Sequence, residues 1–149
     1  MKQLPINQMK LELESRSINE GFARAVVSAF AAQLDPTVEE LTDIKTAVSE
    51  AVTNCIVHAY PEQCGKIVLT AGIYGDGLFR VRVKDRGCGI ADIAKAREPL
   101  YSSVGEERAG LGFAIMENFM DKLRVRSRPG AGTTVTMEKR IEGKEAAKK

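Results

Sequence analysis

The chain has 149 residues, 44% of them hydrophobic and 28% charged, with a formal net charge of +2. That suits one domain, 1–149, with one hydrophobic core, and the mixed charges and absence of Trp argue against a nucleic-acid-binding stripe. No apolar run approaches the ~20 residues that span a bilayer, and Met1-Lys2-Gln3-Leu4-Pro5 lacks the apolar core of a signal peptide, so a cytoplasmic protein without membrane or direct nucleic-acid contact is expected.

In chain order, residues 9–14 alternate Met-Lys-Leu-Glu-Leu-Glu and predict a strand with one wet face. Ser17 or Asn19 caps a helix to about residue 33, with Phe22, Val26, Ala29 and Phe30 at helical spacing and Ala23 and Val27 beside them. Asp35-Pro36, an N-cap followed by proline at the first helical position, starts a second helix that runs to about Ala59 and stops before Pro61. Its core stripe is Leu41, Ile44, Val48, Ala51, Cys55 and Ala59. Residues 66–73 and 78–84 predict strands joined by the hairpin signal Gly75-Asp-Gly77. Residues 91–97 form a short helix ahead of Pro99, and the polar stretch 101–109 around Gly105 is expected to be a mobile loop. An amphipathic helix at 110–123 carries Phe113, Ile115, Met116, Phe119 and Met120. Residues 123–127 and 133–139 form a last hairpin turned at Pro129-Gly-Ala-Gly132, with the basic stretch 122–128 as a half-exposed strand, and 142–149 is a frayed polar tail. The expected fold class is α/β (an α+β sandwich), with a mixed, mostly antiparallel sheet and helices on one face.

Four short patterns carry chemistry. Glu50 and Asn54 stand i,i+4 and share a helix face with Ala47 and His58, roughly 100° round from the core stripe. An Asn amide oxygen suits Mg²⁺, and a Glu one turn away can accept a proton from an attacking hydroxyl. By itself the pair also suits a solvated helix face. Asp85-Arg-Gly87-Cys-Gly89 follows a strand. Its carboxylate can accept from the exocyclic amine of adenine where guanine offers a carbonyl, and the glycines let backbone approach a flat base. A tight turn is the alternative, and no third glycine completes a dinucleotide fingerprint. Gly110-Leu111-Gly112 opens a helix whose free amides suit a phosphate, with the Arg108 guanidinium just upstream; a plain helix start is the alternative. Thr133, after Gly132, places a hydroxyl where water can bridge it to a base, or is an ordinary β-branched strand residue. Cys55, Cys64 and Cys88 form neither a disulfide framework nor a zinc pattern. Cys55 and His58 stand i,i+3, but nothing completes four ligands, leaving a packed thiol and a hydrogen-bonded imidazole.

In this order the patterns resemble the GHKL ATPase superfamily: Glu50–Asn54 its N box, Asp85–Gly89 its first glycine box, Gly110–Gly112 its second. Val48-Ser-Glu-Ala-Val-Thr-Asn54, Arg97-Glu-Pro-Leu-Tyr101 and Gly112-Phe-Ala-Ile-Met-Glu-Asn-Phe-Met120 are similar to the sporulation anti-sigma-F factor family. Ser17-Ile-Asn-Glu-Gly-Phe-Ala-Arg24 and Ala32-Gln-Leu-Asp-Pro36 support the same likeness, which spans about 9–139. The resemblance implies a Bergerat-fold serine/threonine kinase, homodimeric, that uses ATP/ADP and Mg²⁺. It would hold sigma-F of RNA polymerase inactive and phosphorylate a serine of an anti-anti-sigma partner. Carried onto this sequence, Glu50 is the catalytic base, Asn54 holds Mg²⁺ and Asp85 reads adenine. Gly87, Gly89 and Thr133 shape the base pocket. Arg108, Gly110, Leu111 and Gly112 contact phosphates, and Arg24 contacts the protein partners. The stretch 102–108 departs from the family in lacking a lysine, and the N-terminus is several residues longer.

Other readings are a nucleotide-gated sigma-binding module without phosphotransfer, the related stress-response anti-sigma kinase, and the catalytic domain of a histidine kinase. Intact Glu50 and Asn54 weigh against the first. The chain lacks room for a phosphoacceptor hairpin, and its sole histidine, His58, lies on the proposed nucleotide-site helix.

Overall fold

The computed structural model describes residues 4–61, 63–90, 92–97 and 104–144, with 95, 96 and 104–110 described by secondary structure alone. Five strands, β1 (Asn7–Glu14), β2 (Lys66–Ile73), β3 (Leu78–Asp85), β4 (Lys122–Arg128) and β5 (Gly132–Arg140), form one sheet in the order β1-β2-β3-β5-β4. All four pairings are antiparallel. Because side chains alternate faces with period two, the register lines up apolar rungs on one face. Leu11, Leu69, Val83, Val135 and Val125 form one rung, and Met9, Ala71, Val81, Met137 and Leu123 the next. The following rung runs Leu13, Ile67, Asp85, Thr133, Ser127. There the core face turns polar, halfway across the sheet. The opposite face carries residues such as Lys84 and Arg126, both exposed.

Helices α1 (Ile18–Ala31), α2 (Val38–Asn54) and α4 (Val104–Phe119) accompany the sheet, with a short α3 (Ile93–Ala96). The core takes Ala23, Val27, Phe30 and Ala31 from α1 and Ile44, Ala47, Val48, Ala51 and Val52 from α2. From α4 it takes Phe113 and Met116. Phe30 packs on Phe79 with ring centroids 6.5 Å apart. Phe22, expected on the inner stripe of α1, is instead 54% exposed, and Ala29 is exposed. Small Ala23 lets α1 approach its neighbours, which turns the adjacent positions outward.

Several expected boundaries move for local reasons. α1 gives way to a 3₁₀ turn at Ala32–Leu34, and Asp35 is left-handed, φ 50°, closing that turn rather than capping α2. The cap of α2 is Thr37: its hydroxyl accepts from the Glu40 amide at 3.1 Å while the Glu40 carboxylate accepts from the Thr37 amide at 2.9 Å. This reciprocal box satisfies two amides and prevails over the Asp-Pro signal two residues earlier. α2 passes after Asn54 into a π-helical turn, Cys55–Ala59. α4 begins at Val104, so residues 104–109, expected as loop, are helical; Glu106, Glu107, Arg108 and Ala109 are all good helix formers. Phe119, placed on the inner face of that helix, is partly exposed. The tail is not frayed at its start: Glu142 and Gly143 donate their amides to Glu40, and the Lys144 amide donates to the Asp35 carbonyl at 2.9 Å. Residues 145–149 of that tail lie outside the described residues.

Burial raises the Glu40 carboxyl, but hydrogen bonds from Thr37, Glu142 and Gly143 outweigh it and leave the group below its ordinary value. A carboxyl depressed in the folded state contributes stability above its unfolded pKa, lost as pH falls through the folded value. Glu40→Gln is therefore expected to flatten the acid limb of a stability–pH curve, measured by urea unfolding. Thr37→Ala is expected to cost about 1 kcal/mol at neutral pH. An unchanged acid limb in Glu40→Gln would contradict this account.

Candidate nucleotide site

The polar rung is the floor of the site. Asp85, the last residue of β3, is 5% exposed. Its Oδ1 accepts from the Gly87 amide at 2.9 Å and the Thr133 amide at 3.2 Å, and its Oδ2 accepts from the Cys55 thiol at 3.5 Å. Burial raises the Asp85 carboxyl above its ordinary value, against the pull of those three donors. Burial and the neighbouring Asp85 carboxylate push the Cys55 thiol well up, so it remains S–H, a donor. Thr133 is tied a second time, its hydroxyl 2.8 Å from that of Ser127. The Ser127 hydroxyl donates to the Gly132 carbonyl at 2.9 Å and accepts from the Ile90 amide at 2.7 Å. With its one proton spent on Gly132, Ser127 must accept from Thr133, which leaves the Thr133 oxygen as an acceptor.

The glycines of the loop after β3 have a reason that the sequence reading did not supply. A Cβ on Gly87 would overlap the Ala59 carbonyl, and one on Gly89, at φ +77°, would overlap the Arg128 carbonyl. The loop is threaded between the π turn and the β4–β5 hairpin. The Cys88 amide donates to the Ala59 carbonyl at 3.1 Å, and the Gly130 amide donates to the Cys88 carbonyl at 2.7 Å. Gly132, φ +91°, brings the start of β5 against the Asp85 backbone. The glycines thus serve backbone-to-backbone contact first, and the pocket floor is rigid because of it.

A second cluster lies one turn along α2. A Cβ on Gly112 would sit 3.2 Å from Glu50 Oε2 and 3.3 Å from both terminal atoms of the Asn54 amide. Glycine there lets α4 lie directly over the face of α2 that carries Glu50 and Asn54. Ala47, on the same face, is fully buried. Among the described residues, Asn54 Nδ2 is buried without a hydrogen-bond partner. An unmade bond of this kind costs about 1–3 kcal/mol, a deficit that a ligand can offset. A half-turn of the amide exchanges oxygen and nitrogen without displacing the group, so it can present an oxygen to a cation. The Asn54 amide therefore fits the neutral oxygen ligand that Mg²⁺ takes, with the Glu50 carboxylate one turn away. The two clusters adjoin, since Asn54 ends α2 and Cys55 begins the π turn.

The helix opened by Gly110 is corrected. α4 starts six residues earlier, at Val104, so Gly110, Leu111 and Gly112 lie inside it and their amides belong to its hydrogen-bond ladder. Leu111 is 49% exposed. The Arg108 side chain, expected at a phosphate, lies outside what is described. Arg24, on α1, faces a groove of about 610 Å³ between α1 and α2, shared with Lys45, Ser49 and Glu50. Its guanidinium stands 3.7 Å from Glu20, whose carboxylate also accepts from the Ser49 hydroxyl. Cys55 and Ser127 are the functional neighbours that motif reading missed. Only strand register, which puts Ser127 opposite Thr133 and Thr133 opposite Asp85, points to Ser127. No group of three or more His, Cys, Asp or Glu that could hold a metal occurs among the described residues.

Gly132→Ala forces a left-handed residue and a backbone overlap at once. It is expected to destabilise the fold by about 2–4 kcal/mol, read as a lower urea midpoint at unchanged slope.

Comparisons with known proteins agree with this geometry. The Histidine kinase-like ATPase domain family matches residues 13–139. An anti-sigma F factor of Caldanaerobacter subterraneus is 57% identical over 91% of this chain and 94% of its own length. Those of Pasteuria penetrans and Geobacillus thermodenitrificans are 56% and 52% identical, over 91% of this chain and 92% and 93% of theirs. The crystal structure of the RsbU and RsbW domains of a Mycobacterium tuberculosis protein superposes with a TM-score of 0.68 at 26% identity, over 92% of this chain and 32% of that one. A histidine kinase domain from Erythrobacter litoralis shares the fold, with a TM-score of 0.55 at 21% identity. The chain belongs to the histidine kinase-like ATPase domain family and, within it, to the anti-sigma F factors.

Proposed function

We propose that this chain binds and inhibits sigma-F and, as an ATP- and Mg²⁺-dependent serine kinase, phosphorylates and so disables an anti-anti-sigma partner. The observation that carries the transfer step is the position of Glu50. It borders both the Asn54–Gly112 cluster and the open groove that holds Arg24. A partner serine entering along that groove reaches a carboxylate one helical turn from the cation ligand. The family resemblance and the relatives' names support the choice of partners.

The residues divide the work. Asp85, held by three donors, accepts from the exocyclic amine of adenine, and Thr133 offers an acceptor beside it. Gly87 and Gly89 keep the loop close enough to wall the base. Asn54 gives its amide oxygen to the cation. Bound ATP with Mg²⁺ supplies the transferable phosphoryl group and its charge neutralisation. Glu50 accepts the proton of the incoming serine hydroxyl. Arg108 meets the terminal phosphate. The family resemblance assigns Gly110, Leu111 and Gly112 to the phosphates, and in α4 they lie on the turn that crosses Glu50 and Asn54. Arg24 contacts the protein partners, and the chain acts as a cytoplasmic homodimer.

The test is phosphotransfer from labelled ATP, with Mg²⁺ and the anti-anti-sigma partner. Glu50→Gln is expected to lose about 10²–10⁴-fold in rate while still binding nucleotide and partner. Asn54→Ala is expected to lose transfer together with the Mg²⁺ dependence of nucleotide binding. Label on a partner serine that survives Glu50→Gln would remove Glu50 from the chemistry. Absence of label in the unaltered protein, with ATP bound, would leave a nucleotide-gated binding module.

A further inference from the structure

Cys55 takes no part in the transfer chemistry above, yet among the described residues it is the donor to Oδ2 of Asp85. The two oxygens of that carboxylate are treated differently. Oδ1 carries two backbone amides, which fill its lone pairs. Among the described residues Oδ2 carries only the thiol, which leaves one acceptor position. The two amides restrain the carboxylate at Oδ1, and the thiol on Oδ2 restrains its rotation about Cβ–Cγ from the other side. Cys55 continues the core stripe of α2, its amide bonded to the Ala51 carbonyl just where the π turn takes over, and it is 3% exposed. The other titratable group that senses Asp85 is Tyr60, from the end of the same turn. Its hydroxyl is engaged with the Lys66 carbonyl at 2.8 Å and the Arg86 amide at 2.6 Å. From β4 and β5, among the described residues, the site receives the Ser127 and Thr133 hydroxyls and the Thr133 amide.

We propose that Cys55 is a positioning residue for base recognition: its thiol donates to Asp85 Oδ2 and holds the carboxylate as a fixed acceptor for the exocyclic amine of a 6-aminopurine. The inference rests on the reading of Asp85 as the group that reads the base. The thiol uses one lone pair of Oδ2 and leaves the other for the amine. Remove the thiol, and the carboxylate loses a donor that favours its ionised, accepting form. A carboxyl that turns or takes a proton can donate to a 6-oxo group, so discrimination between 6-amino and 6-oxo purines falls.

The experiment is calorimetric binding of ADP and of IDP to the full chain and its variants, each checked for folding by a thermal melt. Cys55→Ala is expected to narrow the preference for ADP over IDP about three- to tenfold, the span of one ordinary hydrogen bond. Cys55→Ser, which leaves nearly the same space and restores a donor, is expected to stay within about twofold of the unaltered protein. Should Cys55→Ala fold poorly, Cys55→Val makes the same comparison without a donor and without a cavity. Equal narrowing in the alanine and serine variants, or none in the donor-free variants, overturns the proposal and leaves Cys55 as packing. Asp85→Asn is the separate control. If it keeps the full preference for ADP, the reading of Asp85 fails, whatever Cys55 does.

Discussion

The site depends on a single carboxylate oxygen that accepts two backbone amides, those of Gly87 and Thr133. One donor comes from the loop that leaves β3 and the other from the start of β5, so Oδ1 of Asp85 fixes three points of the chain relative to one another. Burying an ionised group is costly unless its lone pairs are filled. Here the filling is done by backbone, which cannot swing away as a side chain can. The conformational cost falls on glycines. Gly132 accepts a left-handed backbone, and Gly87 accepts contact with the Ala59 carbonyl. The sheet rungs beside Asp85, built from Leu69, Val83, Val135 and their neighbours, supply the apolar burial that holds this polar end in place.

α2 couples that floor to the reacting end. One stripe of the helix, Ile44, Val48 and Ala51, is buried in the core, while a second stripe carries Ala47, Glu50 and Asn54 beneath α4. A uniform α-helix would carry its hydrogen-bond ladder on through Ala59. The π turn alters the ladder beyond Cys55 and leaves the Ala59 carbonyl to receive the Cys88 amide, while Cys55, still α-helical and bonded to the Ala51 carbonyl, gives its thiol to Asp85. The unpartnered Asn54 amide, the thiol donor to Asp85 and the brace for the glycine loop thus come from six consecutive residues. A shift of α2 along its axis would displace all three together.

Much of this is legible in the sequence because the signals are periodic or local. The strands, the Gly75–Gly77 hairpin and the Glu50–Asn54 spacing are written in patterns of two to eight residues, and the structure has them. What is not legible is tertiary. Ser127 becomes important only through a register that sets it across from Thr133. Cys55 reads as a core residue, which it is, and nothing nearby in sequence announces Asp85 thirty positions on. Asp35-Pro36 points to the start of α2 because that signal is strong in isolation. Thr37 prevails because Glu40 is placed to close a box with it and then to collect two more amides from residues 142 and 143. The stretch 104–109 reads as loop for its polarity and its glycine, yet its helix-forming residues extend α4 backwards.

Glu50 is where the two faces of the molecule meet. Toward α4 its carboxylate lies against Gly112, and toward α1 the same residue lines the groove with Arg24, Lys45 and Ser49. The groove wall is a linked set: Ser49 donates to Glu20, and Glu20 also faces Arg24. A partner that draws Arg24 away from Glu20 disturbs the hydrogen bond on Ser49, the residue next to Glu50. On the proposed roles, partner engagement at Arg24 and the placement of Glu50 are joined through two adjacent residues of one helix. In a protein read as both inhibitor and kinase, such a joint ties the two activities to a single surface. A change that tightens the grip on one partner then alters the geometry offered to the other.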